Sequence, residues 1–398
     1  MKIAILEICA STHYTLTNAL IKTYGTDVDN QIVVYTTEFI GNVIKEGGVT
    51  KQTSLVVFDA TKKLEDFLKD IENTPFDRLH ICTVAPRFKE FREFKPNVKN
   101  IFFHIHDIDM WFDSSFINSL KNAVYNIKNY PDKVREIARF GREVFVRNPR
   151  RKATLAHLLS YEPYLIVLSP GQKKYLSHFV PDEKIIAFPS VINEGIEKPQ
   201  LQVSPDHKIR ICIPGIVTDT RRDYSGLFKI LESILPQIKG KLVFDFLGFM
   251  EKREPNLLKK LQYLENMGLD VLYSVEFVDP VTFDESLDKA DILLNNQKVT
   301  VSHTGKYGLT KESGLLFNIV RGAKPAIFPA EYAVDKEFGD AIIYYNDTQE
   351  LTDIILGLAN KTLPLEKYKN RAAEISYEYT PQNLYNRLVN IGVEAPII

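Results

Sequence analysis

The 398-residue chain is poor in cysteine, with only Cys9, Cys82 and Cys212. These lie far apart, and no CxxC or Cys/His metal spacing links them. Each sits in or beside an apolar run, where a small buried thiol in a reducing compartment is expected. Long hydrophobic runs are missing too. No stretch approaches the roughly 18 apolar residues of a membrane span. The opening MKIAILEICAS is too short and too broken by Glu7 for a signal peptide, and it reads as a first strand. Charge of one sign is also lacking. The 50 Lys/Arg and 51 Asp/Glu give a formal net charge of −1, which excludes a whole-protein attraction to nucleic acid. The expectation is a soluble cytoplasmic protein, with any polyanion contact confined to a local patch.

What is present is an ordinary globular composition, 44% hydrophobic and 25% charged, in a chain long enough for two or three domains. Short β-rich runs alternate with helical patterns. Strands are predicted at 2–8, 31–36, 54–59, 78–83, 100–106 and 164–168, and helices at 15–23 and 64–72 between them. Residues 189–207 hold three prolines and no apolar periodicity, so the linker is set at 191–207. A second series of strands follows at 208–214, 241–247, 271–277, 292–294, 325–328 and 341–345, with helices at 224–235 and 313–321. This alternation predicts an α/β protein of two doubly wound, Rossmann-like domains facing a cleft. The domains are set at 1–190 and 208–378, with a last helix within 379–398 able to cross back to the first. Residues 113–160 break the rhythm as a helical insertion. From 113 to 152 there are ten Lys/Arg against four Asp/Glu, a local net of +6.

In open α/β sheets ligands bind beyond the carboxyl ends of the strands, so the loops after the strands hold the candidate residues. After the first strand comes Ala10-Ser11-Thr12-His13-Tyr14, where Ser11 and Thr12 suit a helix cap and His13 would face the cleft. The run FHIHDIDMW (103–111) puts His106, Asp107 and Asp109 at a strand end, where an imidazole or carboxylate could serve as a general base or bind sugar hydroxyls. No second ligand cluster accompanies them, so a metal is not expected. The loop PGIVTDTRRDY (214–224) offers Gly215 for close backbone approach and Arg221 or Arg222 as a phosphate fork; the sequence does not say which. Finally, HTGKYGLTKESGLLFNIVRGAKPAIFP (303–329) places Lys306, Lys311 and Glu312 before a helix opening at Ser313-Gly314. The N–H groups of such a helix start can cradle a diphosphate.

At KESGLLFNIVRGAKPAIF the chain resembles the C-terminal half of GT-B glycosyltransferases of the family-four, group 1 type. PGIVTDTRRDYSGLFKIL is similar to the first strand, glycine loop and basic residues of that domain. LVFDFLGF and VEFVDPVTFDESLDKADILL are similar to its nucleobase-holding stretch, and FHIHDID to the acceptor-facing strand end of the N-terminal domain. The resemblance implies transfer of a sugar from a nucleotide-diphosphate donor to a hydroxyl acceptor, glycan or lipid-linked, in surface polysaccharide or glycolipid assembly. The nucleotide-sugar is then a substrate, and no cofactor is implied. It implies donor contacts from Gly215, Arg221, Arg222, Lys306, Glu312, Ser313 and Gly314. It implies an acceptor-side base among His106, Asp107 and His13. Two departures stand out. The E-x7-E pair of many retaining members is absent, because its partner to Glu312 would fall at Thr304 or Val320, and ASTHY replaces the usual glycine-rich first loop. A nucleotide-sugar epimerase of the same fold and a non-catalytic sugar- or partner-binding protein are the alternatives. The basic insertion is a candidate for peripheral contact with anionic membrane.

Overall fold

The computed structural model describes all residues except 11–12, 48, 130–132, 190, 194–206, 251–253, 333–335 and 392–398. Most of the expected linker, and the capping residues Ser11 and Thr12, lie outside the described residues. The chain divides into two compact units. One comprises Met1–Ile192, Ser302–Glu312 and Thr380–Ile398; the other comprises Asn193–Val301 and Ser313–Tyr379.

The first unit is built on a seven-stranded sheet of β1 (Lys2–Glu7), β2 (Gln31–Thr37), β3 (Thr53–Phe58), β4 (Phe76–Ile81), β5 (Val98–His104), β6 (Tyr164–Val167) and β7 (Ile185–Ala187). Their spatial order is β3-β2-β1-β4-β5-β6-β7, and every pairing is parallel. Parallel sheets carry helices on both faces, so their inner strands read as nearly unbroken apolar runs. The run from Ile3 to Leu6 is wholly buried, as are Leu79, Phe103 and Leu165 in the strands beside it. Each of the Ile, Leu and Phe side chains contributes roughly 1.5–3 kcal/mol by leaving water. The edge strand β3 is instead partly exposed along its length.

The second unit holds β8 (Ile209–Cys212), β9 (Leu242–Phe249), β10 (Asp270–Ser274), β11 (Ile292–Leu294), β12 (Ala326–Pro329) and β13 (Ile342–Tyr345), in the order β10-β9-β8-β11-β12-β13, again all parallel. Its separate core gathers Ile211, Phe244, Ile292 and Ile327 beneath Leu227 and Leu231 of the helix Tyr224–Ile238. The architecture is α/β with two Rossmann-like domains.

The connectivity contains a feature that sequence order hides. Ser302–Glu312 falls in the second half of the sequence yet groups with the first unit. A main-chain bond from Ile108 N to Thr310 O (2.9 Å) and a cluster of charged contacts described below hold it there. The helix Pro381–Val389 also joins the first unit. It packs on the helix Tyr14–Tyr24, and Tyr385 Oη donates to Asp27 Oδ2 at 2.6 Å. The fully buried Arg78 of β4 donates to the carbonyls of Leu388, Val389 and Ile391 at 2.7–2.8 Å, capping that helix from below.

Candidate functional site

Each sheet reverses its direction of growth once, between β1 and β4 in the first unit and between β8 and β11 in the second. At such switch points the loops diverge and leave a crevice for ligands.

At the first switch point stands Glu7, the last residue of β1, with no exposed surface. Its Oε1 accepts the N–H groups of Cys9 (2.9 Å) and Ala10 (3.0 Å), and its Oε2 accepts the Thr83 hydroxyl (2.6 Å) from just beyond β4. Because the Thr83 proton is spent on Glu7, His13 Nδ1 must be the donor in its 2.7 Å contact to Thr83 Oγ1 and its 3.2 Å contact to Glu7 Oε2. That tautomer leaves the Nε2 lone pair of His13 to accept a proton, and its side chain is about one quarter exposed (27%). Burial raises the Glu7 pKa, but the hydrogen bond and charge of His13, with the Thr83 and Cys9 bonds, outweigh it and hold the carboxyl below its usual value. The result is a fixed negative charge behind a partly exposed imidazole, an arrangement that can orient a general base.

His106 lies against His13, with ring centroids 4.3 Å apart. Its Nε2–H donates to Cys82 O at 2.9 Å, so Nδ1 is its acceptor. Burial first, then the charge of His13, push its pKa down to about 4, and it is neutral at pH 7. The buried Gln172 fixes this loop, donating to His106 O (3.3 Å) and accepting Leu168 N (2.8 Å). Asp107 and Asp109 are engaged otherwise. Lys311 Nζ meets Asp107 Oδ1 at 2.6 Å and Asp109 Oδ1 at 3.3 Å, while Thr304 Oγ1 donates to Asp109 Oδ2 at 3.1 Å. Burial pulls the Lys311 pKa down, but the two carboxylates more than offset this and leave it raised. Burial raises Asp109 against the pull of Lys311. Asp107 is therefore tied to the Ser302–Glu312 segment, whereas His13 presents Nε2 as an acceptor. The sequence ranked His106 and Asp107 ahead of it.

At the second switch point the two arginines separate. Arg221 is exposed, whereas Arg222 is buried with its guanidinium donating to Pro214 O. Gly215 is required there twice over. Its φ is +109°, and a Cβ would stand 2.7 Å from Arg222 Nη2. Opposite, directly after β11, come Asn295, Asn296 and Gln297, all buried. Asn295 Nδ2, both amide atoms of Asn296, Gln297 Oε1 and Arg222 Nη1 have no hydrogen-bond partner among the described residues. Buried polar atoms are rarely left unmatched, so this group is a candidate place for a polar ligand or an ordered water.

Ser313 caps the helix Gly314–Gly322. Its hydroxyl accepts Leu315 N (3.3 Å), and its own N–H donates to Tyr332 Oη (3.1 Å). Both contacts serve the fold, and the exposed residue of the helix start is Gly314, where an added Cβ would meet nothing within 4 Å. Lys306 and Glu312 lie in the segment that groups with the first unit, and Lys306 O closes a turn by accepting Thr310 N at 2.9 Å. The sequence reading missed Glu7, Thr83 and the Asn-Asn-Gln run. The available signals were an acid directly after the apolar run IAIL, and three amides directly after ILL.

No family model matches this sequence, and no curated protein matches it. Solved structures do match along nearly the whole chain. HepE of Anabaena, determined in complex with UDP, is 11% identical over 98% of this chain and 99% of its own, with a TM-score of 0.59. The lipopolysaccharide outer core galactosyltransferase WaaB is 11% identical over the same shares, with a TM-score of 0.55. UDP-GlcNAc 2-epimerase of Neisseria meningitidis is 14% identical, again over 98% and 99%, with a TM-score of 0.52. The chain therefore has the two-domain GT-B fold, which sugar transferases and nucleotide-sugar epimerases share.

Proposed function

We propose that this protein is a glycosyltransferase that moves a sugar from a nucleotide-diphosphate donor to a hydroxyl acceptor on a glycan or lipid-linked saccharide. The observation that carries this reading is the Glu7–Thr83–His13 arrangement at the first switch point. His13 Nε2 takes the proton of the acceptor hydroxyl as that oxygen bonds to the anomeric carbon, and the bond from that carbon to the diphosphate breaks. Glu7 stabilises the imidazolium that results. The neutral His106 accepts a hydrogen bond from a substrate hydroxyl through Nδ1. The second unit holds the donor, with Arg222 and the helix start at Gly314 offsetting the charge of the leaving diphosphate. The unmatched amides of Asn295, Asn296 and Gln297 bond the polar part of the donor. Asp107 and Lys311 hold the Ser302–Glu312 segment and are positioning residues.

The first test is a melting-temperature screen of the purified protein with UDP, GDP, CDP, ADP and dTDP, with Arg222→Gln and the exposed Arg221→Gln beside the wild type. Binding to the native state alone raises the midpoint by mass action, by about 2.7 kcal/mol at a ligand concentration 100 times Kd. One nucleotide should shift wild type and Arg221→Gln alike, and shift Arg222→Gln less. No shift with any nucleotide sinks the transferase reading in favour of a non-catalytic binding protein. With the matching nucleotide-sugar, release of nucleotide should require an added acceptor. Isomerisation of the sugar without acceptor would make the protein an epimerase instead.

A further inference from the structure

The helix Lys133–Arg142 is built inside out. Its only buried residue is Glu136, 8% exposed, whose Oε2 accepts Asn126 Nδ2 at 3.0 Å and meets Arg139 at 3.7 Å. Its apolar residues point to water, with Val134 78% exposed and Ile137 more than half exposed. The π-helical turn Glu143–Arg147 continues the pattern, with Phe145 75% exposed. The neighbouring helix Phe116–Asn129 adds Phe116, Ile117, Leu120 and Val124, all exposed, and the Phe116 and Phe140 rings lie 6.4 Å apart, joining the two helices into one face. Single exposed hydrophobes are common, but a contiguous apolar face of this kind marks an interaction surface.

The charges on this face identify its occupant. The acids of the two segments are already engaged within the fold. Glu136 is held as described, and Glu143 pairs with Arg147 (2.6 Å) and Arg151 (3.4 Å). Lys121, Lys128, Lys133 and Arg142 remain exposed. The surface thus offers bulky apolar side chains set among cations, the signature of a helix lying in the headgroup layer of a bilayer. No helix among the described residues is long and apolar enough to cross a membrane, so the contact is interfacial. We infer that residues 116–128 and 133–147 dock the protein on an anionic membrane surface, with Phe, Val and Ile side chains entering the headgroup region and the cations meeting acidic lipid. This inference does not rest on the sugar-transfer reading.

The test is co-sedimentation of the full chain with vesicles of phosphatidylcholine alone and of phosphatidylcholine containing phosphatidylglycerol, at low and high salt. Wild type should sediment with the anionic vesicles only, and less at high salt. Val134→Ser/Ile137→Ser/Phe145→Ser should abolish sedimentation. Lys133→Gln/Arg142→Gln should weaken it roughly fivefold for each charge removed. Both variants should melt like wild type and keep its nucleotide response, because the replaced side chains are in water. No sedimentation of wild type, equal sedimentation with neutral vesicles, or an unaffected triple variant overturns the inference. So does a wild-type dimer in light scattering that the triple variant converts to monomer, which assigns the face to a second copy.

Discussion

Glu7 is the residue on which the proposed chemistry turns, and it separates charge from shape cleanly. Glu7→Gln keeps an oxygen for the Cys9 and Ala10 N–H groups but removes the negative charge behind His13. The expected outcome is a kcat lower by about 10²–10⁴-fold, the usual worth of a positioned base, with nucleotide binding retained. His13→Ala should lose a similar factor. The double variant should be little worse than either single one, because residues acting as a unit are not additive. Steady-state turnover with acceptor measures all three, and a Glu7→Gln enzyme at full rate would remove His13 from the role of base. His13 and His106 were legible in the sequence because an imidazole just past a strand suggests a site wherever the strand lies. Glu7 was not, since an acid inside KIAILE reads first as an interruption of an apolar run. Only the pairing of β1 with β4 brings Thr83 and His13 to it.

Among the elements, β4 and β5 carry a buried polar ladder. Arg78 Nη1 donates to the Tyr24 hydroxyl at 3.4 Å, so that hydroxyl gives its proton to His80 Nε2 (2.8 Å), and His80 Nδ1–H donates to His104 Nε2 (3.0 Å). Both imidazoles are therefore neutral. Burial, with the Arg78 charge behind it, lowers the His80 pKa to about 3, and burial with neighbouring histidines lowers that of His104. The unfolded chain takes up protons near the ordinary histidine value of about 6.5, whereas the native state does not. Stability from these residues is thus complete above pH 6.5 and falls as the pH drops toward the folded values, by at most about 1.4 kcal/mol per pH unit for each histidine. Thermal melts taken from about one pH unit above the ordinary histidine value of about 6.5 to about two below it should show the midpoint falling with acid. The slope should flatten in His80→Gln/His104→Gln, which has two fewer groups to titrate; an unchanged slope would show that other groups set the acid limit. The strands themselves were readable from their apolar runs. Their ends were less so: the run predicted at 271–277 stops pairing at Ser274, where the register with β9 shifts.

For the molecule as a whole, the two α/β halves could be read from alternating periodicities, because each βαβ unit is local. The chain's two returns to the first unit could not, because they depend on single long-range contacts. Lys311 was singled out only as a charge near the helix start, with nothing in KYGLTKESG pointing to Asp107 and Asp109, about two hundred residues earlier. Nothing local to Arg78 announces that it will bind carbonyls at 388–391. These contacts make the first unit dependent on distant segments. A chain of residues 1–192 keeps all seven strands of the first sheet but loses Ser302–Glu312 and the last helix. Asp109, 5% exposed, would lack Lys311, and Arg78, 2% exposed, would lack its three carbonyls. Removing one partner of a buried charge costs about 3–5 kcal/mol, and two such losses approach the 5–15 kcal/mol that holds a typical domain together. Residues 1–192 should therefore fail to show a cooperative thermal transition by circular dichroism. The same fragment with Asp109→Asn and Arg78→Met should recover one, because no buried charge is then left uncompensated. A wild-type fragment that melts cooperatively would show that the seven-stranded sheet and its apolar core suffice, and that the two returning segments add to the first unit without completing it.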